Sequence, residues 1–165
     1  MKYPIGIQSF ETIIEDGYVY LDKTALVYYL HHNGQVYFLC RPRRFGKSLL
    51  VSTLKCYFEG RKELFEGLAI DRLEKEWNRY PVLHLSFGGQ NYAESTALDE
   101  VLEEFVATAE KRYGTDGMAK TLGSRFRAVL RQAHEKTGKK TVVLVDEYDK
   151  PLLDVMDLGI PTETG

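Results

Sequence analysis

Val36-Tyr37-Phe38-Leu39-Cys40-Arg41-Pro42-Arg43-Arg44-Phe45-Gly46-Lys47-Ser48-Leu49-Leu50 is the stretch on which the reading of this chain turns. Its first five residues, Val36 to Cys40, are apolar, with the β-branched and aromatic bias of a buried strand. Pro42 and Gly46 interrupt the run. Leu49, Leu50, Leu54, Tyr57 and Phe58 then recur at helical spacing and predict a helix from Lys47 to about Glu59, closed by Gly60. Strand, loop and helix with Gly-Lys-Ser at the junction is the layout of a phosphate-binding loop. Gly46 lets the backbone turn its N–H groups toward phosphate, and the helix N-terminus adds the positive end of a dipole. Lys47 is expected to reach the β- and γ-phosphates, and the Ser48 hydroxyl to ligate Mg²⁺. The full pattern has a glycine where this chain has Arg41, so the loop alone also reads as a basic strand-to-helix turn.

The rest of the composition narrows the class. A chain of 165 residues, 44% hydrophobic and 28% charged, is long enough for one domain with its own core and too apolar for disorder. A net charge of -2 exerts no global pull on nucleic acid, whereas Arg41, Arg43, Arg44 and Lys47 form a local basic cluster suited to a small polyanion. Cys40 and Cys56 are expected as small buried hydrophobes without a disulfide, which fits a cytoplasmic location. No apolar run approaches the ~20 residues of a membrane span, and residues 1–10 lack the features of a signal peptide.

Working outward, residues 1–34 are a lead-in, with short helices expected after Ser9 and over Ala25 to His32. A short helix is predicted from Ile70 to Asn78, a second strand from Val82 to Phe87 and amphipathic helices around Leu98–Ala109 and Met118–Ala133. A third strand, Thr141 to Val145, runs into Asp146-Glu147, and the tail 151–165 is expected to be irregular. Strands alternating with helices predict an α/β layered domain with a parallel sheet and a core over 35–150.

The two acids answer the loop. A buried strand ending in paired carboxylates is the other half of a nucleotide hydrolase site, because ligands in open α/β sheets sit beyond the carboxyl ends of the strands. Asp146 is expected in the Mg²⁺ shell and Glu147 beside the attacking water. His84 is expected in the core, and no histidine has metal-ligand spacing with the cysteines. Asp149 and Lys150 read as a local charge pair. Phe10, Tyr18 and Tyr20 are alternatives for stacking on adenine.

Tyr18-Val19-Tyr20-Leu21-Asp22-Lys23-Thr24, Arg41 to Leu49, Leu64 to Leu68, Tyr80-Pro81-Val82 and Val145 to Leu152 together resemble the AAA-ATPase-like family of bacterial proteins. In that family Arg-Pro-Arg-Arg-Phe-Gly-Lys-Ser is the normal form of the loop. The resemblance implies a P-loop NTPase-type three-layer fold that binds ATP with Mg²⁺ through Arg43, Arg44, Phe45, Gly46, Lys47, Ser48 and Leu49. Lys47 and Glu147 would be catalytic, and Ser48 and Asp146 would hold the metal. Asp22, Lys23 and Thr24 sit in a motif of that family and are candidates near the nucleotide, the alternative being that Asp22 or Thr24 caps a helix. The resemblance also implies a sensor strand and later strands that this sequence does not contain, and in many relatives a C-terminal restriction-endonuclease-like nuclease domain. The chain therefore resembles an N-terminal part of a larger ATPase, with an incomplete sheet whose open edges are expected either to close by a non-native pairing or to self-associate. DNA is a further expected partner of the larger protein. The alternative is a module that binds nucleotide, nucleic acid or a partner without hydrolysis.

Overall fold

A computed structural model describes residues 1–40, 46–94 and 96–157, with the backbone alone at Asp157. The chain divides into two compact units, the first ending at Val82 and the second starting at Leu83.

The first unit is helical. Ser9 caps α1 (Phe10–Glu15), its hydroxyl accepting the Thr12 N–H at 3.2 Å. The Phe10 N–H finds no acceptor within its own helix and donates to Ser52 Oγ at 2.9 Å. This ties α1 to α3 (Lys47–Phe58). Phe10, Val27, Cys56, Tyr57, Leu64, Phe65 and Ile70 form the core, with Leu49, Leu50, Leu54 and Trp77 packed around it. Phe10 and Phe65 are fully buried with ring centroids 4.8 Å apart, so Phe10 is not available to stack on a nucleotide. Burial pushes the Cys56 thiol up to about 11, leaving it an inert packing group.

Asp22 and Thr24 turn out to be fasteners. Asp22 Oδ1 accepts the Thr24 N–H at 2.9 Å and its hydroxyl at 2.7 Å, at the start of α2 (Thr24–Asn33). Asp22 Oδ2 accepts the Ala69 N–H at 2.7 Å, and Thr24 Oγ1 accepts that of Ile70 at 3.1 Å. Two open N–H groups at the start of α4 (Ala69–Leu73) are thereby satisfied from another helix. Burial alone would raise the Asp22 pKa, but the three donors outweigh it and hold the carboxyl below its ordinary value. The folded pKa is depressed, so this stabilisation is present above the unfolded value near pH ~4 and is lost as pH falls through the folded one. Asp22→Ala is expected to cost about 1 kcal/mol at pH 7, because solvent screens an exposed carboxylate. Urea titrations at pH 7 and at acid pH check this: the difference from the parent should vanish in acid.

In the second unit, β1 (Val82–Ser86, its first residue at the unit boundary) and β2 (Val142–Asp146) form a two-stranded parallel sheet. Parallel neighbours need a long crossover, and α5 (Ala97–Tyr113) and α6 (Leu122–Thr137) supply it. Leu83, Ala109, Tyr113, Val129 and Ala133 make one core cluster. Leu85, Phe87, Tyr92 and Ala97 make another, against which Tyr148 packs. Arg125 of α6 forks onto Glu110 of α5 at 2.9 and 2.7 Å and also meets Glu103, clamping the helix pair.

Several expectations are corrected. Residues 36–40 form no strand: the sheet among the described residues contains only β1 and β2, and an extended segment outside a ladder is not a strand. Val36 is 92% and Phe38 73% exposed, and Cys40 is exposed with them. His84 is also exposed, since β1 is buried on one face and alternates Leu83-in, His84-out, Leu85-in. The helix expected to reach Asn78 stops at Leu73, where the Glu74 carboxylate turns back to the Tyr57 hydroxyl. Met118 lies outside α6, because Thr121 and Ser124 form a reciprocal cap that starts the helix at Leu122. The tail begins as a helix, α7 (Lys150–Asp157), with Pro151 tolerated in its first turn. Lys150 pairs with Asp154 at 2.7 Å, one turn on, rather than with Asp149.

Candidate functional site

The loop residues belong to the first unit and the acids to the second. In the first, Gly46 caps α3 in the left-handed region at φ 74, a conformation that costs a residue with Cβ about 1–2 kcal/mol. Apart from its chain neighbours, no atom of the described residues lies within 4 Å of the place a Cβ would take. Among the described residues no side chain caps the helix, which leaves the first-turn N–H groups of Lys47, Ser48 and Leu49 for an outside acceptor. An anion suits that geometry. Lys47 and Ser48 are half-buried. Leu49 turns its side chain to the core and offers only its N–H. Thr53 steadies the turn, its hydroxyl donating to the Leu49 carbonyl at 2.8 Å. Arg43, Arg44 and Phe45 lie outside the described residues, as does Arg41.

In the second unit, Asp146 is the last residue of β2, and its Oδ1 accepts the Glu147 N–H at 2.9 Å. Glu147 is the one non-glycine residue with positive φ among the described residues, at 53°. Such a conformation in a residue with Cβ stores roughly 1–3 kcal/mol and persists only where its surroundings hold it. They do so from both sides. The Phe87 N–H donates to the Asp146 carbonyl at 3.1 Å, joining the two strand ends, and the Lys150 N–H donates to the Glu147 carbonyl at 3.0 Å. Asp154 of α7 accepts the Tyr92 N–H at 3.1 Å and pairs with Lys150.

The consequence is the placement of the Glu147 carboxylate. It lies against Gly88, in the space a Gly88 Cβ would fill, with Ser86 Oγ accepting the Gly88 N–H at 3.2 Å. The strand predicted over Val82 to Phe87 does not by itself mark Ser86 or Gly88 as site residues. The available signal was a glycine directly after a strand, which marks a close approach as well as a stop. Asp146, Glu147, Ser86 and Gly88 thus meet at the carboxyl ends of both strands, the position where ligands bind in parallel α/β sheets.

Among the described residues no three His, Cys, Asp or Glu side chains gather as metal ligands. The Ser48 hydroxyl of the first unit and the Asp146 carboxylate of the second are, each by itself, hard oxygen donors, the type that Mg²⁺ accepts. No helix among the described residues is long and apolar enough to cross a membrane.

The structure by itself gives a mixed helix and strand chain with a small parallel two-stranded sheet, consistent with an α/β fold. The comparisons are more specific. The family model for the AAA-ATPase-like family, described as predicted AAA-ATPase, matches residues 4–163, and the chain belongs to that family. A protein of Azotobacter chroococcum mcd 1, named as an uncharacterized protein in the vnfD 5' region, is 46% identical over 156 residues. That match covers 93% of this chain and 30% of the relative, so this chain spans about a third of the relative's length. No solved structure matches significantly.

Proposed function

We propose that this chain carries the nucleotide-binding elements of a Mg²⁺-dependent ATPase. The observation that supports this most is Glu147: an acid at a strand end, held in a costly backbone conformation with its carboxylate against Gly88. Strain of that kind clusters at functional sites. The membership of a predicted ATPase family agrees with it.

In this reading the N–H groups of Lys47, Ser48 and Leu49 receive the phosphates, and the Lys47 ammonium contributes charge at the β- and γ-positions. Arg43, Arg44 and Phe45 line the same nucleotide. Ser48 of the first unit and Asp146 of the second are the residues that would hold Mg²⁺, which when bound would offset the phosphate charge. Glu147 orients a water and accepts its proton. Gly88 keeps the space in which that carboxylate sits.

The deciding experiment titrates Mg·ATP against this chain and against the longer Azotobacter chroococcum mcd 1 relative, and measures phosphate release from both. Binding with release from either supports the proposal. Binding by both without release would make this a nucleotide-binding module, and no binding by either would refute the site. A second test addresses Gly88. Gly88→Ala places a methyl where the Glu147 carboxylate lies, and a flexible side-chain end moves at small cost. The melting temperature should change by no more than a few degrees, while turnover falls roughly ten- to a hundredfold, as expected when a catalytic group is displaced by an ångström. Unchanged turnover would count against the role of Glu147.

A further inference from the structure

Away from the loop and the acids, the first unit carries a cleft of about 290 Å³ lined by Tyr28, His31, His32, Glu74, Glu76 and Tyr80, with Lys75 also on its wall. Its chemistry is unlike that of a phosphate site. Glu74 is only 7% exposed. Burial would raise its pKa, but the Tyr57 hydroxyl and nearby backbone N–H groups hold it below the ordinary value, so it is ionised at neutral pH. The donors it has are neutral: the Tyr57 hydroxyl on Oε2, the Glu76 N–H on Oε1 at 2.9 Å and the Lys75 N–H. Among the described residues no lysine, arginine or histidine forms an ion pair with Glu74 or Glu76. Lys75 instead donates to the Arg72 carbonyl at 3.0 Å.

A buried carboxylate without a counter-ion is costly, and a carboxylate has more lone pairs than the Tyr57 hydroxyl and the Glu76 and Lys75 N–H groups fill. The surrounding walls are aromatic. Tyr28 stacks on His32 with centroids 4.0 Å apart, and Tyr80 lies 5.6 Å from His31. Burial, with the neighbouring His32, lowers the His31 pKa and keeps that ring neutral at pH 7. Aromatic faces around an ionised acid attract organic cations through both charge and the ring quadrupole.

We propose that this cleft binds an organic cation, a guanidinium or alkylammonium head group placed against Glu74 and Glu76 with its stem beside Tyr28 and Tyr80. The volume lies at the lower edge of ligand pockets, roughly 300–1,000 Å³, and suits a group of side-chain size rather than a nucleotide. The site is separate from the loop. Tyr57, which holds Glu74, stands near the opposite end of α3 from Lys47, about 15 Å along the helix at 1.5 Å per residue.

The test uses this chain with agmatine, and in a second arm with a short blocked peptide containing one arginine. Binding is followed by calorimetry and by the fluorescence of Trp77, the single tryptophan, whose ring is 5.8 Å from Tyr57. Saturable one-to-one binding is expected, weakened roughly tenfold or more by Glu74→Gln and severalfold by Glu76→Gln. Glu76 is exposed, so its variant should fold as the parent does. Lys47→Ala should leave the affinity unchanged. Butylguanidine should bind and its neutral counterpart butylurea should not. Preference for the peptide assigns the cation to a protein partner, and preference for agmatine to a free metabolite; both support the site. Absence of saturation by either at millimolar concentration would overturn it, as would equal binding of butylurea or unaltered affinity in the Glu76→Gln variant.

Discussion

Lys47→Ala is expected to abolish measurable Mg·ATP binding while leaving the fold intact. The reason lies in what the side chain does in each state. Without ligand, Lys47 is a half-buried residue at the first position of α3 and takes no part in any ion pair found among the described residues. Alanine is the best helix former, so the substitution does not weaken the helix. With ligand, the ammonium would make charge-assisted bonds to the β- and γ-phosphates, each worth about 1.5–3 kcal/mol. Losing both lowers affinity by roughly 10²- to 10⁴-fold at 1.4 kcal/mol per decade. Calorimetry of the variant beside a thermal melt checks it. An unchanged affinity would show that the anion-suited start of α3 is not the phosphate site.

Glu147→Gln should have the opposite signature: ATP binding retained, phosphate release lost. Glutamine has the shape of glutamate, keeps the left-handed backbone at the same cost and still fits against Gly88. It cannot take a proton from water. General-base catalysis contributes roughly 10²- to 10⁴-fold, and a loss of that size in single-turnover hydrolysis is the expected result. Glu147→Gly separates strain from chemistry. It removes the Cβ that the left-handed region penalises by about 1–2 kcal/mol, against an entropy cost of similar size or smaller for glycine. That variant should be equally inactive but melt no lower than the parent. A large loss of stability in it would mean that the Glu147 carboxylate supports the fold.

Much of the architecture was legible because it is local. Ser9 before Phe10, the 3.6-residue recurrence from Leu49 to Phe58 and that in α5 each follow from the period of the chain and a cap. The same period failed where a long-range partner intervened. Ile70 to Asn78 has helical spacing, yet the chain leaves the helix at Glu74 because the buried Tyr57 hydroxyl takes its carboxylate. Val36 to Cys40 has strand composition, but a strand exists only where a neighbour completes its ladder, and composition does not reveal neighbours.

The candidate site divides in the same way. Gly46-Lys47-Ser48 and Asp146-Glu147 stand out in the sequence because contiguous residue types make up each motif. Their sequence alone determined a glycine at a helix start and two acids at the end of a β-branched strand. Only the tertiary structure decided that Glu147 adopts a positive φ against Gly88, that Asp22 and Thr24 fasten α4, and that Glu74 is buried among aromatic rings. Each of these depends on residues tens of positions apart meeting at hydrogen-bond or van der Waals distance. Spacing along the chain determines which face of an element a residue occupies, and only packing determines what that face meets.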